Sequence, residues 1–74
     1  MTSPLTYQQV LVLTVLAAVG PCTVEHVASC IHGRDPFRTL RALHARGLAQ
    51  PTPEGWAITD TGRSALADLR AVLD

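Results

Sequence analysis

The apolar residues of the chain recur at helical spacing in segments that are separated by glycine and proline. Thr6 and Gln9 have the three-residue spacing of a capping box, and an apolar run starts immediately afterwards at Val10. This pattern predicts a first helix over about residues 7–18. A Gly-Pro pair follows, and we expect it to end the helix because proline cannot continue the hydrogen-bond ladder.

Two further helices are predicted in the next part of the chain. Thr23 is a helix-capping residue type, and apolar residues at spacings of three and four follow it over about residues 24–31. Asp35 followed by Pro36 is a second start signal, since an acidic N-cap often precedes proline at the first helical position. It predicts a third helix over about residues 36–46.

The third helix has two chemically different sides. Its apolar stripe consists of Phe37, Leu40 and Leu43, and Gly47 stands where a closing glycine is expected. At about 100° per residue, the opposite side carries small and cationic residues. These are Arg38, Arg41, Ala42, Ala45 and Arg46.

The periodicity changes after the third helix. Residues 48–50 and 56–59 are short enough to be strands, and residues 51–55 between them have the composition of a turn. A last helix is predicted over about residues 60–73, with one apolar side formed by Ala65, Leu66, Leu69, Val72 and Leu73. The expected fold class is therefore α+β and mainly α, with a three-helix core, a two-stranded hairpin and a C-terminal helix.

Two motifs in this order resemble those of small bacterial transcription regulators of the MarR and PadR type. The first is the end of the third helix, L-x-x-L-x-x-x-G-L, and the second is the end of the hairpin, I-T-x-x-G. Their residues are Leu40, Leu43, Gly47 and Leu48 in the first motif, and Ile58, Thr59 and Gly62 in the second.

The resemblance implies a single winged helix-turn-helix domain over residues 1–74. Its helix-turn-helix covers about residues 23–47, its wing about residues 48–59 and its C-terminal helix about residues 60–73. In such regulators the third helix enters the major groove of DNA and the wing contacts the minor groove or the backbone. The resemblance thus implies a sequence-specific regulator that binds double-stranded DNA.

The distribution of charge changes this picture, because the formal net charge of the whole chain is zero. Residues 34–46 hold four arginines and one carboxylate, a local net charge of +3 on the segment that would face DNA. We expect bases to be contacted by Arg38, with Arg34, Thr39 and Ala42 also near them. Phosphates are assigned to Arg41, Arg46 and Arg63.

The hairpin favours an alternative function. Its predicted tip lacks arginine and lysine and carries Glu54, which phosphates would repel at short range. Winged helices also serve as protein-interaction modules. The second hypothesis is a domain that docks on a larger transcription or phage-encoded complex without binding DNA.

The first helix indicates a further partner. Its apolar residues fall at all angles around the helix, and so small a domain covers only part of such a surface. We expect a homodimer formed through the first and last helices, which would place two third helices about 34 Å apart, one turn of DNA. Tyr7 and Trp56 are interpreted as packing at the edge of the core.

Metal, redox and catalytic chemistry receive less support. Cys22, His26, Cys30 and His32 have the right residue types for a metal, but their spacing matches no standard zinc module. We expect neither metal nor cofactor, although a zinc or disulfide sensor on the same fold stays an alternative. Paired carboxylates, a glycine-rich phosphate loop and a nucleophile elbow are lacking, so an enzyme is not expected. The short apolar run excludes a membrane span, and the absence of a signal peptide predicts a cytoplasmic protein.

Overall fold

In the computed structural model, which describes residues 5–31 and 35–73, the chain forms four helices and one two-stranded antiparallel hairpin. The fold is α+β and mainly helical, as predicted, and each helix matches its predicted range to within one residue at either end. The elements are α1 (Tyr7–Val19), α2 (Val24–Cys30), α3 (Pro36–Ala45), β1 (Ala49–Thr52), β2 (Gly55–Ile58) and α4 (Asp60–Leu73).

Helix α1 lies at the centre of the molecule and contacts α2, α3, α4 and β2. The fully buried side chains that meet there come from all three of the first helices and are Val12, Leu13, Leu16, Val27, Leu40 and Leu43. Leu66 of α4 and Trp56 and Ile58 of β2 complete this core. Burial of apolar area on this scale is what holds so short a chain together.

The local start signals act as the sequence predicts. Thr6 and Gln9 form the capping box of α1, with each side chain accepting a backbone N–H at 3.1 Å. The Thr23 hydroxyl accepts the N–H of His26, and the Asp35 carboxylate accepts that of Phe37. Each of these bonds satisfies a backbone donor that a helix start leaves unpaired, so each fixes where its helix begins.

The end of α3 and the start of α4 are joined through Thr59. The Leu48 N–H donates to Leu43 O at 2.9 Å, which closes α3 in a Schellman motif with Gly47 at a φ of 75°. The Thr59 hydroxyl donates to Gly47 O at 2.7 Å and accepts the N–H of Gly62 at 3.0 Å. A Cβ at Gly62 would overlap the carbonyl oxygen of Leu48, so only glycine lets α4 approach this closely.

The hairpin is shifted from the predicted one. The prediction placed Pro51 in the turn, but β1 continues through Pro51 and Thr52, and only two residues separate the strands. Pro51 pairs with Trp56, whose N–H and C=O both bond to Cys22 on the other side of β2. Proline at position 51 therefore removes no hydrogen bond from the ladder. Both backbone groups of Trp56 bond to Cys22, so Trp56 needs no donor from β1.

The pairing of Cys22 with Trp56 attaches the hairpin to the segment between α1 and α2. Cys22 N–H donates to Trp56 O at 3.0 Å, and Trp56 N–H donates to Cys22 O at 2.7 Å. Gly55 has a φ of 130°, and a Cβ there would overlap the carbonyl oxygen of Cys22. Glycine is thus required at the point where the hairpin meets the helical core.

Two aromatic residues that the sequence assigned to the core are exposed. Phe37 was expected in the apolar stripe of α3, but 44% of its surface is accessible, whereas Leu40 and Leu43 are fully buried. Tyr7 was expected at the core edge, but it is 79% exposed because it starts α1 beyond the elements that cover it. Trp56 is buried, as expected for a residue at the edge of the core.

Helices α1 and α4 leave some of their apolar residues exposed or half-buried. In α1, Val19 is 50% exposed, while Val10, Leu11 and Val15 are half-buried against the core. In α4, Leu66 is buried and Ala65 and Leu69 are half-buried; the side chains of Val72 and Leu73 lie outside the described residues. Within the described part of the chain, no helix combines the length and hydrophobicity that crossing a membrane requires.

Candidate nucleic-acid interface

Helix α3 presents one buried and one solvent-facing side. Leu40 and Leu43 point into the core, and their burial fixes the rotation of the helix about its axis. The solvent-facing side carries short or cationic side chains that are exposed, namely Arg38, Arg41, Ala42 and Ala45, with Thr39 half-buried at its margin. This surface, which we call the α3 outer face, combines two exposed arginines with two exposed alanines.

Arg38 and Arg41 are both exposed to solvent. Within residues 5–31 and 35–71, neither makes an ion pair or a hydrogen bond. The Arg41 guanidinium lies over the Phe37 ring, 5.9 Å from its centroid. Such a cation–π contact orients the guanidinium without neutralising its charge.

Arg46 has a different environment from the other two arginines. It is half-buried, and its Nη1 donates to Gln9 Oε1 at 3.3 Å. The same oxygen accepts the Thr6 N–H in the capping box. Arg46 thus ties the end of α3 to the start of α1, a contact between residues 37 positions apart that local sequence patterns do not reveal.

The remaining predicted contacts are spread over the molecule. Arg34 lies outside the described residues. Arg63 lines an open groove of about 450 Å³ between α1 and α4, together with Ala17, Leu66, Ala67, Arg70 and Ala71. The structure therefore groups Arg38, Thr39, Arg41 and Ala42 on α3, and it places Arg63 beside Arg70 on α4 instead.

An aromatic cluster borders the α3 outer face, and sequence reasoning missed it. The Phe37 and Trp56 rings meet edge to face, with centroids 6.3 Å apart, and His44 meets Trp56 in the same way at 6.0 Å. His44 Nδ1 lies 3.1 Å from Ala49 O. The available signal was the position of Phe37 at the edge of the apolar stripe, next to Arg41 on the helical wheel.

The tip of the hairpin is acidic. Glu54 is exposed in the two-residue turn and is the only charged residue between Gly47 and Ile58. A phosphate backbone close to this turn would meet a like charge. The hairpin thus offers no cation to assist α3.

The two cysteines differ in exposure. Cys22 is buried beside Trp56, Cys30 is exposed at the end of α2, and both are free thiols. Burial raises the pKa of the Cys22 thiol above its ordinary value of 9.0, and the charge of Cys30 adds to the shift. Among the described residues no group of three or more potential ligands could hold a metal ion, and His32 lies outside them.

Comparison with known proteins adds no assignment. No family model matches the chain, and neither the curated proteins nor the solved structures contain a significant match.

Proposed function

We propose that this protein is a winged helix-turn-helix transcription regulator that binds double-stranded DNA through α3. The observation that carries the proposal is the α3 outer face, where Arg38 and Arg41 are exposed and make no ion pair with the described residues. Their guanidinium groups suit phosphate oxygens and the acceptor pair of guanine. Exposed Ala42 and Ala45 allow the helix backbone to lie close to base edges.

The arrangement of the elements supports the same proposal. Helices α2 and α3 are consecutive and in contact, and α3 leads directly into the antiparallel hairpin, which is the order of a winged helix. The residues of the two motifs that resemble MarR and PadR regulators meet in one place, where Thr59 bonds to both Gly47 and Gly62. We assign base contact to Arg38 and phosphate contact to Arg41, with Arg34, Thr39, Ala42 and Arg46 as further proposed contacts.

We further propose that the regulator acts as a homodimer through α1 and α4. The residues that line the groove between these helices include Ala17, Ala67 and Ala71. Their small side chains allow another helix to approach closely. Arg63 lines this groove, so a dimer through it would cover the guanidinium that the sequence assigned to phosphate. Dimerisation would double the number of arginines presented to one duplex.

The test is binding of a labelled duplex library, followed by fluorescence anisotropy at increasing salt. Replacing Arg38 with glutamine should cost about 1–3 kcal/mol on the selected sequence, since a guanidinium that contacts a base is lost. Replacing Arg41 with glutamine should weaken binding to all sequences and make the salt slope shallower by about one unit.

Thr61→Glu is the control, because it lowers the net charge by the same one unit at an exposed position of α4 that does not line the groove, and it should leave both quantities unchanged. Absence of binding at about 50 mM salt would reject the proposal. Equal losses from Arg38→Gln and Thr61→Glu would reject the role of the α3 outer face.

A protein-binding module is the second candidate, and the exposed Glu54 favours it, because an acidic wing opposes contact with DNA. The salt titration separates the two functions. A module of this kind would show no salt-dependent binding to any duplex.

A further inference from the structure

An apolar ring lies on the solvent-facing edge of the proposed recognition helix. Phe37 is in the first turn of α3 and is 44% exposed, although phenylalanine usually lies inside a protein. On the helical wheel it is about 40° from Arg41, which places it on the border of the α3 outer face. The end of α3 that would reach furthest into a groove thus combines an apolar surface with two cations.

The Phe37 ring is held in place from two sides. Trp56 contacts it edge to face, with an angle of 76° between the ring planes. The Arg41 guanidinium lies over the face of Phe37, 5.9 Å from the ring centroid. The Asp35 carboxylate accepts the Phe37 N–H at 3.0 Å and so fixes the backbone from which the ring projects. A side chain that is already ordered loses little conformational entropy on binding, so its exposed surface is prepared for a ligand.

We propose that Phe37 reads thymine by contact with its C5-methyl group, an inference that rests on the proposed binding of DNA by α3. The thymine methyl is the apolar group that a base pair presents in the major groove, and apolar side chains recognise it there. The adjacent Arg38 and Arg41 make the surroundings of the ring favourable for a polyanion. Phe37 is thus a specificity-determining residue that favours thymine at one position of the site.

The first experiment replaces thymine with uracil. Duplexes selected by the protein from a random library are resynthesised with deoxyuridine at each thymine in turn, which removes one methyl group and leaves the base pairing intact. At one position the affinity of the unmodified protein should fall about fourfold, the value expected for one apolar carbon exposed to water. If replacing thymine with uracil lowers the affinity at no position, the inference is overturned.

The second experiment removes the ring. Phe37→Ala should bind thymine and uracil duplexes equally, and Phe37→Gln should do the same while keeping a longer side chain over Trp56. Val24→Ala is the matched control, since Val24 is a half-buried apolar residue of α2, outside both α3 and the proposed dimer interface, and its loss should leave the fourfold preference intact. Retention of the preference in both Phe37 variants would overturn the inference.

A photocrosslink gives a readout that requires no variant and no change in stability. 5-Iododeoxyuridine carries iodine where thymine carries its methyl group, and irradiation of the complex should join it to the tryptic peptide of residues 35–38. An adduct on another peptide would overturn the role of Phe37 but leave DNA binding by α3 standing. Failure to bind any duplex would remove the proposed function, and the inference with it.

Discussion

Thr59 shows how one hydroxyl group can fix the relation between two helices. It donates to the last carbonyl of the turn after α3 and accepts from the first turn of α4, so both of its hydrogen-bonding roles are used. Its own N–H donates to Leu48 O at 3.1 Å. The side chain therefore acts as an N-cap and as a link to Gly47 at the same time.

Replacing Thr59 with valine should lower the free energy of unfolding by about 1–2 kcal/mol, because the variant keeps the volume but loses the cap of α4 and the hydrogen bond to Gly47 O. Urea denaturation followed by circular dichroism measures the change. Thr61→Val is the control, since Thr61 is exposed in the same turn of α4. Equal effects of the two substitutions would contradict the linking role of Thr59.

At the residue scale, sequence reasoning succeeded where the physical cause is local. Thr6, Thr23 and Asp35 cap their helices because each bond spans only two or three residues. The exposure of Phe37 could not be predicted in this way. It depends on how far Trp56, nineteen positions later, extends over the first turn of α3.

At the element scale, α1 and α3 are joined by a polar contact as well as by their apolar sides. Gln9 Oε1 accepts from Thr6 N–H and from Arg46 Nη1, so the start of α1 and the end of α3 share one acceptor. An arginine assigned to phosphate contact thus already has a partner within the protein. If Arg46 contacts DNA, it does so from a position set by α1.

A double-mutant cycle tests this connection. Gln9→Ala and Arg46→Ala should each destabilise the protein, and their effects should be non-additive by about 0.5–1 kcal/mol, because either substitution breaks the same bond. Thermal or urea unfolding of the four proteins provides the coupling energy. The same cycle between Arg46 and the exposed Gln50 serves as control and should be additive. Additivity in the Gln9 cycle would show that the bond contributes nothing to stability.

The strand boundaries show a limit of element prediction. The Pro-Thr-Pro-Glu-Gly sequence of residues 51–55 favours a turn, and the prediction therefore ended the first strand before Pro51. In the structure Pro51 is tolerated because its partner Trp56 is bonded to Cys22 instead of to β1. Cys22 precedes Trp56 by 34 positions in the sequence. No local pattern carries that information.

At the scale of the whole molecule, four of the arginines that the structure describes lie on two surfaces of a chain with no net charge. Arg38 and Arg41 lie on α3, and Arg63 and Arg70 line the groove between α1 and α4. We propose DNA for the first surface and a second copy of the chain for the second. The two roles can be separated by substitutions of the same kind on each surface.

Sedimentation equilibrium should give a mass of twice 7.9 kDa for the unmodified protein. Ala67→Glu places a longer side chain in the groove and should shift the equilibrium to the monomer, because it fills the space that a second helix would enter. Ala45→Glu adds the same side chain to the α3 outer face and should leave the dimer intact while weakening DNA binding. A monomer at every concentration, or dissociation by both substitutions, would reject the interface.

The paired hydrogen bonds between Cys22 and Trp56 also make the hairpin depend on the first half of the chain. An isolated two-stranded ribbon is at best marginally stable in water. Here β2 pairs with β1 on one side and bonds on its other side to Cys22, which lies between α1 and α2. The orientation of the hairpin relative to the helices is therefore set by a residue that precedes Trp56 by 34 positions.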